Sequence, residues 1–447
     1  MLSRPNKSVK VNILMAITHV KRAAKSPATG EDDTRAIVAQ MLANIEQGGE
    51  DRCARYAREM DQFNGNIVVT QDEISAAGER LSQRVKDDIR FAHERVSKFA
   101  QHQRKALIDF EVELSPGLWA GQRQIPVQTA GCYVPGGRYA HVASAIMSVA
   151  TAKAAGVKYV IACSPTKPGA GVNDAILYTA DYSGADTILA LGGVQGIAAM
   201  ALGLFTGRPA DVLAGPGNRF VAEAKRMLFG RVGIDMFAGP TEIGVLADAS
   251  ADPRIVAADL VSQGEHGPDS PMWLISLDMD LANKVIELVP GLIEDMPEPS
   301  RSAAHSAWAD YAEIVVCDSR EEAVQVSDRY AAEHLEVQCK DLDWWVNNLT
   351  NYGSLFVGEE TTVTYGDKCS GTNHILPTKG AARYTGGLSV GKFIKTVTTQ
   401  RMTKEANQEV GAAAARISRL EGMEGHARAG DSRLYKYFPD KEFDLGR

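Results

Sequence analysis

Residues 127–163 read VQTAGCYVPGGRYAHVASAIMSVATAKAAGVKYVIAC, and this stretch decides the fold. Residues 131–137 end a short strand in a Pro-Gly-Gly turn, residues 143–156 have the small-residue composition of a packed helix, and residues 159–163 form a continuous apolar run. A strand, a helix and a second strand in so short a span predict a β-α-β unit, in which the two strands run parallel.

The same alternation continues along the chain, with apolar runs separated by helical patterns. The further runs are residues 187–191, 211–214, 243–247, 272–276, 312–316 and 353–357. Strands that alternate with helices indicate parallel sheets covered by helices. We therefore predict an α/β fold with two incomplete Rossmann-like parallel-sheet domains and with helical N-terminal and C-terminal extensions.

The extensions lie at residues 30–110 and after Val397, where apolar residues recur at helical spacing. The polar and aromatic end of the chain indicates a contact between subunits. The predicted parts are an N-terminal helical region that packs on the second α/β half (1–126), an α/β domain with nucleotide-binding loops (127–240), a second α/β domain with metal-binding and acid–base residues (241–390) and a helical dimerisation tail (391–447).

The composition excludes several classes of partner. The chain has 447 residues, 45% of them hydrophobic, and a net charge of −8, which argues against nucleic acid because phosphate binding needs a basic surface. No apolar run approaches the roughly 18 residues that cross a bilayer. Residues 11–20 predict an amphipathic arm and not a signal peptide, because no small-residue cleavage site follows. We expect a soluble, cytoplasmic protein.

The six cysteines show no C-x-x-C spacing, which argues against thiolate zinc sites and redox motifs. Most are expected to be reduced and buried, as small hydrophobic residues. Cys132 and Cys369 lie within Gly-rich motifs and stay candidates for a nucleophile.

Four Gly-rich turns follow predicted strands, at residues 135–137, 191–196, 214–218 and 238–242. Glycine after a strand lets backbone N–H groups and helix N-termini face an anion, as dinucleotide sites require. None is a G-x-G-x-x-G followed by an acidic residue about twenty positions on, so each alone fits a tight turn. Together, the four turns favour a cofactor that carries phosphate.

A polar cluster lies at residues 262–266, with the sequence SQGEH. Gln263 and His266 are three residues apart and would share one face of a helix. Imidazole and carboxylate groups suit zinc, whereas an amide oxygen is a less usual ligand. Asp367, in a polar loop, could add an oxygen ligand, and no spacing rule selects His426. The alternative is a capped helix with a core histidine.

Glu333 and His334 place a carboxylate and an imidazole side by side. Adjacent residues of a helix point to different sides, so a shared site would require an irregular backbone there. The alternative is a solvated glutamate beside a structural histidine.

Taken in order from Gly131 to His426, these motifs closely resemble the histidinol dehydrogenase family. The matching segments are GCYVPGG (131–137), GGVQ (192–195), GPGN (215–218), IDM (234–236), SQGEH (262–266), EHL (333–335), SGTNH (370–374) and EGMEGH (421–426). The resemblance implies a zinc- and NAD-dependent intertwined homodimer that oxidises a primary alcohol to a carboxylate in two hydride transfers.

The resemblance also implies a role for individual residues. It places zinc on Gln263, His266, Asp367 and His426, the last from the neighbouring subunit. It makes Glu333 and His334 the acid–base pair. It puts Tyr133, Gln195 and Asn218 at the nucleotide. It assigns His374, Glu421 and Thr241 to the substrate, where Thr241 stands at a position that is usually Ser.

These roles are chemically reasonable. Zinc would favour ionisation of the substrate hydroxyl, and His334 could accept the proton before each hydride leaves. Glu333 could activate the water that converts the aldehyde to its hydrate. In a rival route, Cys132 or Cys369 would form a thiohemiacetal.

The chain departs from the family pattern after residues 135–137, where family members usually continue with a Thr-Ala-Pro-Leu-like stretch. Here Arg138 stands at the threonine-like position and His141 at the leucine-like position. Two potential cations would suit an anionic substrate, because hydrogen bonds to a charged group are the stronger class. Surface drift is the alternative, and Arg138 could equally reach a cofactor phosphate.

The segments PGGRY (135–139), AGPTE (238–242) and AEHLEV (332–337) resemble the sulfopropanediol dehydrogenase branch of the family. The resemblance implies oxidation of (R)-2,3-dihydroxypropane-1-sulfonate to (R)-sulfolactate, with His141 as the first choice for a sulfonate contact. L-Histidinol is the alternative substrate. From other classes, a zinc hydrolase would use Glu333 without NAD, and a non-catalytic zinc- or ligand-binding homologue is disfavoured by the complete Glu333–His334 pair.

Overall fold

The computed structural model describes residues 17–25, 31–137, 139–237 and 239–446. Most of the predicted amphipathic arm, together with Arg138 and Ala238, lies outside these residues. The chain divides into two compact units. The first comprises the described residues of Met1–Gln103 and Val127–Phe393, and the second comprises those of Arg104–Pro126 and Ile394–Arg447.

The strands are short and, in the first unit, mostly buried. In chain order they are β1 (Thr18–Lys21), β2 (Phe110–Ser115), β3 (Leu118–Pro126), β4 (Thr129–Tyr133), β5 (Tyr159–Ser164), β6 (Thr187–Ala190), β7 (Val212–Ala214), β8 (Gly233–Ile234), β9 (Ile243–Ala247), β10 (Met272–Ser276), β11 (Ala312–Val316), β12 (His334–Gln338), β13 (Ser354–Val357) and β14 (Ile394–Met402).

The helices connect and flank these strands. They are α1 (Glu31–Met60), α2 (Gln71–Arg80), α3 (Gln83–Ala106), α4 (Val142–Ala145), α5 (Thr151–Ala155), α6 (Asp174–Tyr182), α7 (Gly193–Leu202), α8 (Arg219–Leu228), α9 (Pro253–Gly264), α10 (Met279–Glu294), α11 (Ser300–Tyr311), α12 (Arg320–Tyr330), α13 (Leu342–Asn348), α14 (Val363–Lys368), α15 (Asn407–Leu420) and α16 (Glu424–Tyr437). A π-helical turn, Ile146–Ala150, joins α4 to α5, and short 3₁₀ helices cover Ala381–Arg383 and Val390–Phe393.

The first unit contains two sheets, which confirms the predicted α/β class. One has the strand order β6-β5-β4-β7-β8 and is parallel throughout. The other has the order β1-β11-β10-β9-β12-β13 and is parallel except for β1, which pairs antiparallel with β11. The central strands β4, β9 and β12 are buried along their whole length. Burial on both faces explains the continuous apolar run of β9.

The N-terminal helices pack on the first sheet region, so the expectation that residues 1–126 pack on the second α/β half is wrong for them. Val38 and Ile45 of α1 share a core cluster with Ile161 of β5 and Leu189 of β6. Helix α7 is buried almost all round because it packs against the first sheet on one side and against α1 on another. Among the described residues before α1, β1 does join the second sheet.

The second unit is a three-stranded antiparallel sheet of order β14-β3-β2 with a pair of packed helices, α15 and α16. Strands β2 and β3 therefore lie within the region 1–126 that was predicted to be helical, and β14 lies within the predicted helical tail 391–447. The two helices bury Ala412, Ala415, Ala427 and Leu434 between them. Within the described parts of the chain, no helix has both the length and the apolar character needed to cross a membrane.

Candidate active site

The acid–base candidates lie at the amino end of β12. His334 is its first residue, opposite Ile243 of β9 and Ser354 of β13, and Glu333 immediately precedes the strand. Ala331, with φ of 50°, turns the chain in the left-handed region just before them. This is the irregular backbone that a shared site requires. Both side chains are buried, and Glu333 Oε2 lies 3.5 Å from His334 Nδ1.

Two buried carboxylates, those of Glu333 and Asp367, and the backbone carbonyl of Glu242 surround the imidazole of His334. His334 Nδ1 lies 3.0 Å from the carbonyl oxygen of Glu242, and the Glu242 N–H donates to Glu333 Oε2 at 3.0 Å. A carbonyl oxygen only accepts, so Nδ1 carries a hydrogen. His334 Nε2 faces Asp367 Oδ1 at 3.4 Å and is buried without a hydrogen-bond partner among the described residues. Nε2 is thus the nitrogen available to a substrate.

The pKa values at this cluster are shifted in opposite directions. Burial disfavours protonation of His334, but the carboxylates of Glu333 and Asp367 outweigh it and raise the pKa of His334 to about 9. Burial also acts to raise the pKa of Asp367, yet His334 outweighs it and the pKa is lowered. Burial raises the pKa of Glu333 to about 8 and that of Glu242 to about 7. The cluster can therefore store and exchange protons near neutral pH.

Gln263 and His266 lie at the carboxyl end of α9. Gln263 is in the last turn, 2% exposed, and its Oε1 is buried without a hydrogen-bond partner among the described residues. The helix ends at Gly264, so the prediction that Gln263 and His266 share a helix face is wrong. His266 follows the helix and is exposed, which argues against a core histidine.

A pocket of about 210 Å³ lies beside this turn. Its polar lining is Tyr139, His141, Glu265, His266, Lys368 and His374. His374 joins the pocket to the acid–base cluster, because its Nδ1 lies 2.8 Å from the carbonyl oxygen of Asp367. Its Nε2 lies 2.9 Å from Ser144 Oγ. The fold thus brings together the predicted residues Glu333, His334, Asp367, His266, His141 and His374.

A second buried polar network, missed in the sequence, lies beneath these residues. Gln338 Nε2 donates to Asp259 Oδ2 at 2.8 Å and to Glu336 Oε2 at 3.2 Å. Glu336 Oε1 accepts the N–H of Val363, and Asp259 Oδ1 accepts the hydroxyl of Thr362. The network ties β12, α9 and the start of α14 together. The available signal was Glu336 and Gln338, two residues apart and therefore on one face of β12, alternating with the core residues Leu335 and Val337.

The nucleotide candidates lie at the carboxyl ends of strands of the first sheet. Tyr133 ends β4, is buried, and its hydroxyl accepts the N–H of Gly193 at 3.0 Å. Gln195 Nε2 donates to Asp61 Oδ2 at 2.9 Å, and its Oε1 is buried without a hydrogen-bond partner among the described residues. Asn218 caps α8 by accepting two backbone N–H groups and is exposed.

Two glycines of these turns are required by close backbone approach. A Cβ at Gly192 would lie 2.6 Å from Pro165 Cβ, and one at Gly215 would lie 2.0 Å from the carbonyl oxygen of Tyr133. Gly215 also has φ of 119°. Both glycines are buried, so each is required by the close packing of its turn against a neighbouring segment of the chain.

The remaining candidates are less closely gathered. Thr241 is half-buried in the turn before β9. Glu421 and His426 belong to the second unit, after α15 and in the first turn of α16, and both are exposed. Cys132 is fully buried, and burial raises the pKa of its thiol to about 12, which argues against the thiohemiacetal route there.

Comparisons with known proteins identify the family of the chain. The Histidinol dehydrogenase family model matches residues 24–434. The chain belongs to the histidinol dehydrogenase family. A "Histidinol dehydrogenase homolog" of Pelagibacter ubique is 61% identical over 95% of this chain and 99% of that protein. The "Sulfopropanediol 3-dehydrogenase" of Ruegeria pomeroyi is 57% identical over 96% and 99%.

A solved member of the family has the same fold. The crystal structure of histidinol dehydrogenase from Elizabethkingia anophelis has a TM-score of 0.87 and 33% identity, and the match covers 93% of this chain and 95% of that one. The resemblance seen in the motifs is confirmed, and the chain is an oxidoreductase of this family.

The residues that would hold zinc in this family member fit that ion by their donor chemistry. Within the described ranges, no group of three or more His, Cys, Asp and Glu side chains is arranged to hold a metal. An amide oxygen is outside that set, however, and Gln263 Oε1 is a buried acceptor that has no described partner. The His266 imidazole and the Asp367 carboxylate provide the nitrogen and oxygen donors that zinc accepts.

Proposed function

We propose that the chain is a zinc- and NAD-dependent homodimeric dehydrogenase that oxidises (R)-2,3-dihydroxypropane-1-sulfonate to (R)-sulfolactate. The observation that carries the proposal is the buried Glu333–His334–Asp367 cluster beside the pocket of His141, His266 and His374. The 57% identity to a protein named Sulfopropanediol 3-dehydrogenase supports the substrate.

His334 is the proton acceptor for each hydride transfer. Its Nδ1–H donates to the Glu242 carbonyl oxygen, and in the neutral ring, which the raised pKa of about 9 makes available at alkaline pH, Nε2 takes the hydroxyl proton of the alcohol and then of the hydrate. Glu333, 3.5 Å from Nδ1, activates the water that adds to the aldehyde. The low solvent exposure of both side chains keeps bulk water from competing.

Gln263, His266 and Asp367, with His426 from the neighbouring subunit, would hold zinc. When bound, zinc supplies Lewis acidity that favours ionisation of the substrate hydroxyl. Tyr133, Gln195 and Asn218 would bind NAD, with Thr241 and Glu421 at the substrate. The glycine-rich turns after β6 and β7 lead into the N-termini of α7 and α8, which supports a phosphate-bearing cofactor there.

The stoichiometry of NADH tests the reaction. Purified enzyme with bound zinc is expected to form two NADH per dihydroxypropanesulfonate, with sulfolactate as the product. One NADH with free aldehyde would contradict a four-electron oxidation. Metal-dependent turnover without NAD would indicate a hydrolase instead.

L-Histidinol is the second candidate substrate, favoured by the likeness to a solved histidinol dehydrogenase. The test compares kcat/KM for L-histidinol and for dihydroxypropanesulfonate in the same preparation. Comparable efficiency with L-histidinol would refute the sulfonate assignment.

A further inference from the structure

Lys368 is a polar residue of the pocket wall that the mechanism above does not use. Lys368 ends α14, directly after Asp367, and lines the pocket together with His141 and Tyr139. Its side chain keeps 58% of its surface exposed. Its described ion-pair contact is long, 4.0 Å from Nζ to Asp367 Oδ2. The ammonium group therefore retains donors for a ligand in the pocket.

The charges of the pocket residues distinguish Lys368 from its neighbours. Lys368 carries an ammonium group, whereas His141, His266 and His374 of the same lining carry imidazoles. Burial, together with the charges of His374 and His266, lowers the pKa of His141 to about 4. His141 can then donate a hydrogen bond from a neutral ring, while its charge contributes little.

We propose that Lys368 binds the anionic group of the substrate, a sulfonate, and so selects an anionic alcohol over a cationic one. This inference rests on the proposed function and deepens it. His141, the first choice for that contact from the sequence, becomes a neutral hydrogen-bond donor beside the ammonium. A substrate that carries an amine would meet a like charge at Lys368.

Steady-state kinetics of the zinc-loaded enzyme tests the proposal with Lys368→Met, Lys368→Arg and the control Lys284→Met, which changes an exposed lysine of α10. For dihydroxypropanesulfonate, Lys368→Met is expected to raise KM roughly ten- to hundredfold, the range of a charged hydrogen bond. The kcat should change little. Lys368→Arg should restore most of the affinity, and Lys284→Met should match the unmodified enzyme.

An uncharged substrate separates charge recognition from damage to the neighbouring Asp367. With glycerol, Lys368→Met should leave kcat/KM unchanged, whereas a disturbed Asp367 would lower it for every alcohol. A similar loss with glycerol and with the sulfonate would overturn the proposal. An unchanged KM for the sulfonate would do the same.

A dead-end ligand distinguishes failure of this inference from failure of the proposed function. Propane-1-sulfonate should inhibit competitively, whichever alcohol serves as substrate, and its Ki should rise in Lys368→Met by the same factor as KM. If dihydroxypropanesulfonate is not oxidised but this Ki shift is observed, the proposed substrate is wrong and the anion site stands. If the sulfonate is oxidised and Ki does not change, the role of Lys368 is wrong.

Discussion

In the first unit, the candidate site residues lie at the carboxyl ends of the strands in one sheet and at the amino ends of the strands in the other. In the first sheet, Tyr133, Gly192 and Gly215 lie at the carboxyl ends of strands, where helices begin. In the second sheet, Glu242 and His334 lie at the amino ends of β9 and β12. Between the edges lies the pocket, lined from one side by residues after β4 and from the other by residues after α9.

The difference follows from the direction of the helices. A carboxyl edge offers helix N-termini, whose N–H groups and partial positive charge favour phosphate. An amino edge offers helix C-termini, whose partial negative charge favours cations, such as zinc or an imidazolium. The end of α9 beside Gln263 and His266 is such a terminus. We infer a division of labour, with the anionic cofactor at one edge and the metal and proton chemistry at the other.

The largest effect is expected at His334, which would break the acid–base role of the amino edge. His334→Gln removes Nε2 as proton acceptor and should lower kcat by about 10²- to 10⁴-fold, the usual contribution of general base catalysis. NADH formation under saturating substrate measures it. His305→Gln, at an exposed histidine of α11, is the control. A loss under tenfold would exclude His334 as the base.

The metal assignment is tested by Gln263→Ala, which removes the unpartnered amide oxygen at the end of α9. Loss of one ligand should weaken zinc binding by tenfold or more, on the order of the effects seen for residues that support metal ligands. Zinc content after dialysis against a competing chelator measures it, without reference to activity. Full zinc retention would contradict a metal role for Gln263.

The network beneath the amino edge should make stability depend on pH. Burial, with the nearby Asp259, raises the pKa of Glu336 to about 8, so the folded state holds a proton that the unfolded state releases near its ordinary pKa. This stability is present below the unfolded pKa and declines as the pH rises toward 8, by at most about 1.4 kcal/mol per pH unit.

Glu336→Gln should flatten this decline, because the amide does not titrate. Thermal unfolding of the two proteins is measured between pH 5.5 and pH 8.5, at about one point per half pH unit. The slopes of stability against pH are then compared. Glu287→Gln, at an exposed position of α10, should keep the slope of the unmodified protein. Equal slopes in Glu336→Gln and the unmodified protein would show that Glu336 is ionised throughout.

The smallest effect is expected at the carboxyl edge. Tyr133→Phe removes the acceptor for the N–H of Gly193 and should raise KM for NAD by roughly three- to tenfold, with kcat unchanged, the size of one neutral hydrogen bond. The control is Tyr182→Phe, at an exposed tyrosine of α6. A fall in kcat with an unchanged KM for NAD would place Tyr133 in the chemistry and weaken the division between edges.

The predicted strands were accurate where the strand is a continuous apolar run. Residues 243–247, 272–276 and 312–316 match β9, β10 and β11 residue by residue, because a strand covered on both faces is a continuous apolar run. The sheet of β2, β3 and β14 was missed. Strand β2 has the sequence FEVELS, whose alternation of apolar and polar residues is a strand signal that the helical interpretation overlooked. Strand β3 pairs with a strand more than 250 residues away, which no local pattern reveals.

The sequence by itself determined the family and the α/β class and predicted the candidate site residues, because strand patterns and motifs are local properties of the chain. Only the tertiary structure decided that α1 covers the first sheet, that Asp367 faces His334 and that Lys368 enters the pocket wall. Those facts depend on contacts between distant segments, and the pKa shifts depend on the burial that such contacts create.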